Sequence, residues 1–172
     1  MQPLPVEYHF LSANYPRRDA PEIAQIMAGI GGTPCCCQLS YALNLSEIRI
    51  PEWSNRRRNT AGSARGVRFR FLLCVDEVIN FLTKRCGGSL RLDVADDGSR
   101  KSYVDMKRTI ELRQGILAFS DRHYGFHVEL WNGRSIHQRD INETFCFGKP
   151  EIFFWDCGLR FEDRDYSSLN GL

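Results

Sequence analysis

Between Pro21 and Ile30 apolar residues recur at spacings of three and four. Ile23, Ile26 and Met27 therefore share one face of a short predicted helix. Gly29, Gly31 and Gly32 stop it. Thr33-Pro34 reads as the next helix start, with Thr at the N-cap and Pro at the first helical position. Leu39 and Leu43, four apart, carry that helix over Cys35 to Asn44, and Ile50-Pro51 ends whatever follows it. Phe71 to Phe81 repeats the helical period through Val75, Val78, Ile79 and Leu82. Lys84-Arg85 and Gly87-Gly88 supply a C-terminal signal beyond it. In the second half the period changes to two. Gly115 to Phe119 is a short apolar run. Phe126 to Trp131 alternates, with Phe126, Val128 and Leu130 on one face and His127, Glu129 and Trp131 on the other. Asn132-Gly133 follows and predicts a two-residue hairpin returning along Arg134 to Ile141. Ile152 to Trp155 reads as a last strand. Helices followed by an antiparallel sheet make an α+β domain.

No repeat, low-complexity tract or linker divides the 172 residues, so residues 1–172 read as a single domain. The 23 Lys and Arg against 21 Asp and Glu leave a charge of +2, too small an excess to point to nucleic acid. No apolar run reaches the length of a membrane span. Met1 to Pro16 lacks a basic region followed by an apolar one, so no secretory signal peptide is expected. Trp53 to Arg70 holds Arg56, Arg57, Arg58, Arg65, Arg68 and Arg70 and reads as a basic surface loop. It is either a solvated face or a contact for an anionic polymer. Asp93 to Gly98 resembles a calcium loop, but Ala95 and Val104 occupy ligand positions, which makes it a turn.

Seven cysteines include the run Cys35, Cys36 and Cys37, and no CxxC pair suggests zinc. Cys74, Cys86, Cys146 and Cys157 read as small buried hydrophobes. Cys35 stands where free backbone N–H groups and the helix dipole lower a thiol's pKa. The expected hairpin pairs Trp131 with Arg134, Glu129 with Ile136 and His127 with Gln138. Opposed side chains share a face, so Gln138 could orient His127 as a base for the thiol. The plain alternatives are a buried structural cysteine and a satisfied strand histidine. His123 and His127 lie four apart, but on a strand they do not share a helical face as metal ligands.

Two motifs carry a resemblance. Gly31-Gly32, then Cys35-Cys36-Cys37-Gln38-Leu39-Ser40-Tyr41-Ala42-Leu43-Asn44 with Ile50-Pro51 beyond, resembles the catalytic-helix signature of type VI secretion amidase effector family 4. Gly125-Phe126-His127-Val128-Glu129-Leu130-Trp131-Asn132-Gly133 resembles that family's His-bearing strand and Trp-Asn-Gly turn. The resemblance spans roughly Ile26 to Trp155, in order. It implies a papain-like NlpC/P60 fold, with the catalytic Cys at a helix start packed on an antiparallel sheet that carries the His. It also implies a peptidoglycan amidase that cuts the γ-D-glutamyl–meso-diaminopimelate bond of the peptide stem. Such effectors act in a rival's periplasm after injection by a contractile apparatus, and a cognate immunity protein is the expected partner. Matched by position, Cys35 is the nucleophile, chosen by its spacing to Ser40, and Cys36 and Cys37 are packing residues. His127 is the general base, and the family's acid falls on Gln138. Asp140 lies two residues on and could take the role if a bulge shifts the register. Gln38 stands where the family usually has Arg. No metal or organic cofactor is implied. The competing functions are a catalytically silent module binding cell wall or a partner, and an acyltransferase on the same thiol–histidine scaffold.

Overall fold

The computed structural model describes residues 1–51, 60–64, 67–122, 125–138 and 140–158, with backbone alone at 60–64 and 67–68. The helices are α1 (Tyr8–Ala13), α2 (Pro21–Ile30), α3 (Pro34–Leu45), α4 (Val75–Cys86), α5 (Tyr103–Thr109) and α6 (Glu143–Phe147). The strands are β1 (Thr60–Ala64), β2 (Val67–Arg70), β3 (Leu90–Arg91), β4 (Gly115–Ser120), β5 (Gly125–Trp131) and β6 (Glu151–Asp156). Four of them form an antiparallel sheet in the order β3-β6-β4-β5, so β5 lies at an edge. The domain is α+β as expected, but α5 and α6 are interleaved with the strands.

Alternation along the strands builds a core on each face of the sheet. Ile116, Ala118, Val128, Leu130 and Trp155 pack with Leu39 and Leu43 of α3 and Val78 and Leu82 of α4. Leu117, Phe119, Trp131 and Phe154 pack on the other face with Met106 of α5 and Phe147 of α6. A smaller cluster joins Ile23 and Ile26 of α2 to Cys37 and Phe71. Each fully buried Leu, Ile or Phe contributes about 1.5–3 kcal/mol of transfer free energy, so both faces of the sheet are held firmly around the elements that carry the site.

Several sequence expectations need correction. The α4 helix begins at Val75 rather than Phe71, because the preceding segment is held extended: the Leu72 N–H donates to Ser40 Oγ at 2.9 Å, and the Leu73 N–H to Glu77 Oε2 at 2.7 Å. Within the expected basic loop, β1 and β2 pair as an antiparallel ribbon; Arg56, Arg57, Arg58 and Arg65 lie outside the described residues, as does His123. The expected hairpin is also displaced. Asn132 Oδ1 accepts the N–H groups of Arg134 (2.9 Å) and Ser135 (3.0 Å), and Asn132 N–H donates to the Ser135 carbonyl. This longer turn pairs Trp131 with Ile136, two residues from the expected partner. The ladder does not continue, since the Ile136 N–H goes to Glu143 Oε2 at 3.1 Å. The return strand over Arg134 to Ile141 is reduced to one bridge, and Gln138 is not opposite His127.

Candidate active site

Two glycines join α2 to α3. Gly31 and Gly32 adopt φ of 75° and 95°, a region that strains any residue with a Cβ. A Cβ on Gly32 would also stand 3.1 Å from the Leu73 carbonyl oxygen. Pro34 opens α3 without an N–H, and Cys37 makes the first intrahelical bond, to the Thr33 carbonyl at 3.0 Å. The amides of Cys35 and Cys36 therefore precede the helical ladder and point out of its positive end. Ser40 and Asn44, one turn apart, anchor the helix: Asn44 Nδ2 donates to the Ser40 and Arg70 carbonyls, both at 2.7 Å.

The α3 helix packs along the edge strand β5, whose first residue, Gly125, admits close approach of α4; a Cβ there would sit 2.1 Å from Val75 Cβ. That contact fixes the start of β5 two residues before His127. The His127 ring stacks on Phe119 of the paired strand at 6.4 Å between centroids, and its side chain is 13% exposed. Cys35 and His127 open together into a cavity of about 410 Å³, with Thr33, Asp140, Phe126 and Phe145 among its walls. Phe126 and Phe145 form an exposed rim, and the Lys149 ammonium lies 3.9 Å and 4.4 Å from their ring centroids.

Electrostatics separate the three adjacent thiols. The neighbouring Cys36 thiol, with His127 and Thr33 (Oγ1 to Sγ 3.5 Å), outweighs burial and lowers Cys35 to about 3. Burial alone would lower His127, but the neighbouring Cys35 and Glu129 raise it to about 9. The pair is thus a thiolate facing an imidazolium across the neutral range. The adjacent Cys35 sulfur and burial push Cys36 far above the ordinary thiol value, and burial with the Cys35 charge pushes Cys37 up to about 11. Cys37 packs as expected. Cys36 does more than pack, because it supports the thiolate beside it.

The two candidate orienting groups part company: Gln138 is turned away, whereas Asp140 lines the same cleft as Cys35 and His127. Gln138 Nε2 donates to the Pro16 carbonyl at 3.3 Å, as Gln38 Nε2 does at 2.8 Å, and Gln138 lines a second cavity with Tyr15 and Arg17. Asp140 is exposed and lines both cavities, as does Arg18. A carboxylate does stand beside His127: Glu129 Oε2 lies 3.6 Å from its Nε2. Its period-two spacing from His127 was visible in the sequence. Its burial, 1% exposed, was not. The seven cysteines are all free thiols.

A thiol on the first turn of a helix, facing an imidazole on an antiparallel sheet, defines an α+β domain of the papain-like class. The profile of the type VI secretion system amidase effector protein 4 family, Tae4, matches residues 33–155, and the chain belongs to that family. The fold is similar to the crystal structure of the type VI effector Tae4 from Enterobacter cloacae. The TM-score there is 0.61 at 18% identity, covering 92% of this chain and 100% of that one. It is similar also to the Tae4 effector of the Tae4/Tai4 effector–immunity system from Salmonella typhimurium, with TM-score 0.61, 17% identity and coverage of 89% and 99%. The Salmonella effector in complex with the immunity protein Tai4 from Enterobacter cloacae gives TM-score 0.58 at 18% identity, with the same coverage. No curated protein matches the chain. Among the described residues, no helix is long and apolar enough to cross a membrane.

Proposed function

We propose that this amidase effector is a cysteine hydrolase of the peptidoglycan peptide stem, cutting the γ-D-glutamyl–meso-diaminopimelate bond, with Cys35 as nucleophile and His127 as acid and base. The observation that carries the reading is that the Cys35 thiol, lowered, and the His127 imidazole, raised, open together into one cleft at the start of α3. The Cys35 thiolate attacks the scissile carbonyl carbon, and the amides of Cys35 and Cys36 hold the oxyanion. Collapse breaks the C–N bond, His127 passes its proton to the departing amine, and a thioester remains on Cys35. Neutral His127 then takes a proton from water as the oxygen adds to the thioester. The second collapse releases a carboxylate and restores thiolate and imidazolium. The substrate reaches the pair through the cleft walled by Phe126, Phe145 and Asp140. Family membership and the Tae4–Tai4 complex of a Salmonella relative support action in a target cell's periplasm and a cognate immunity protein as partner.

Digestion of purified sacculi, with mass analysis of the released muropeptides, tests the reading. The expected products carry a new D-glutamyl γ-carboxyl end and a free diaminopimelate amine, and Cys35→Ala gives none. Cleavage at another bond would overturn the specificity, and full release by Cys35→Ala would overturn the nucleophile.

A further inference from the structure

The Glu129 side chain is wholly shielded from solvent. Burying a carboxylate costs several kcal/mol unless it is paired or hydrogen-bonded. One of its oxygens is satisfied, since Oε1 accepts the Leu130 N–H at 2.8 Å. The other, Oε2, has no hydrogen bond. Among the described residues three more buried side-chain polar atoms lack one: His127 Nε2 and the hydroxyls of Tyr8 and Tyr15. The four are not scattered. Nε2 lies 3.6 Å from Oε2. At Tyr15, burial first and then the Glu129 charge hold the phenol well above its ordinary value. Tyr8 responds to burial, to Cys157 and then to Glu129 in the same direction. Unsatisfied buried groups are rare, and two of them, Nε2 and Oε2, lying 3.6 Å apart mark a shared function.

We propose that Glu129 is the positioning residue of the site, its Oε2 accepting the His127 Nε2–H so that Nδ1 faces the Cys35 sulfur, with the Tyr15 hydroxyl donating to the same carboxylate. This rests on the reading of Cys35 and His127 as the catalytic pair. Closing 3.6 Å to a hydrogen bond needs a shift of a few tenths of an ångström, ordinary between free and substrate-bound sites. A buried carboxylate stabilises the imidazolium more than an exposed one, because less water screens it. That separates Glu129 from exposed Asp140, while the amide of Gln138 is turned to Pro16. The groups that act on His127 or Glu129 are Cys35 of α3, Tyr8 of α1, Tyr15 beyond it and Cys146 of α6; Asp140 lies across the cleft.

The test is kcat/KM against pH on a defined muropeptide for the wild type, Glu129→Gln, Glu129→Asp, Gln138→Ala and Asp140→Asn. Glu129→Gln keeps the shape and loses the charge. Its alkaline limb, set by His127, moves down by about one pH unit or more, and kcat falls about 10–100-fold with KM little changed. Glu129→Asp keeps the limb in place at a reduced rate. A limb that stays put in Glu129→Gln, or moves in Gln138→Ala or Asp140→Asn instead, overturns the proposal. A measurement on the unmutated protein guards against variants that do not fold. Nitrogen-15 shifts of His127 above the limb report the tautomer: Nε2–H supports the proposal, and Nδ1–H overturns it. If Cys35→Ala is dead and the Glu129→Gln limb is unmoved, only this inference fails; if Cys35→Ala is active, the catalytic reading fails first.

Discussion

At Cys35 three local features act on one sulfur: a helix start with Pro34 in its first turn, the neighbouring Cys36 thiol and the facing His127. Alkylation by iodoacetamide consumes thiolate, so its rate against pH reads their joint effect. Cys35 is expected to label fast from about pH 4 upward, while the other six thiols react slowly at neutrality. His127→Ala removes a hydrogen bond and a positive charge, so the labelling midpoint moves up by roughly one to several pH units. Cys36→Ala removes the largest single support and moves it the same way. The hydrolysis rate at pH 7 still falls little, because the midpoint remains below neutrality. Cys37→Ala leaves the midpoint in place, its side chain being turned towards Ile23, Ile26 and Phe71. Equal midpoints in wild type and His127→Ala would break the pairing.

The elements around the site are joined by a few buried contacts rather than by long ladders. Asn44 ties α3 to the chain after β2, and Ser40 takes the Leu72 amide, so two residues of the Ser-Tyr-x-Leu-Asn motif hold a strand end. Asn44→Ala leaves the Arg70 carbonyl without that partner and is expected to cost about 1–3 kcal/mol in urea unfolding. Activity per folded molecule should be kept, since Asn44 does not reach the cleft. Gly125→Ala is expected to be worse for function than for stability. Its Cβ would overlap Val75, and relief requires α4 and the start of β5 to separate, which moves His127. A fall in kcat larger than the lost folded fraction is the expected signature. An unchanged kcat would mean that His127 is positioned by other contacts.

Across the whole molecule the charged pair shapes stability as well as turnover. Unfolded, Cys and His have ordinary values of 9.0 and 6.5; folded, they stand at about 3 and about 9. The raised His127 adds stability below pH 6.5 that is lost as pH rises through 9. The lowered Cys35 adds stability above pH 9 that is lost as pH falls towards 3. Between 6.5 and 9 the two trends cancel, since both states hold one proton on the pair. Below 6.5 the unfolded chain binds the extra proton first, so stability falls with pH. Urea unfolding of wild type against Cys35→Ser from pH 4 to 8 should show a gap that is flat above about 6.5 and closes in acid. A gap that widens in acid would contradict the pair.

Local pattern by itself determined much of this protein. The faces of α2, α3, α4 and β5, the Thr33-Pro34 start beneath Cys35 and the place of His127 all follow from period, cap and turn chemistry, which act within a few residues. Short α1, α5 and α6 escaped because five to seven residues hold too little period, although Ser102 and Asn142 cap two of them. The partner of His127 was a different problem. Its expected identity hung on one turn, and Asn132 bonding two amides, with Glu143 taking a third, displaced the register and turned Gln138 away. Glu143 is recruited from α6, and Glu129 is shielded from water although its strand lies at the edge of the sheet; neither follows from local pattern. Only tertiary packing, which decides what is shielded from water and what faces it, turned an alternating strand residue into the buried carboxylate beside the His127 imidazole.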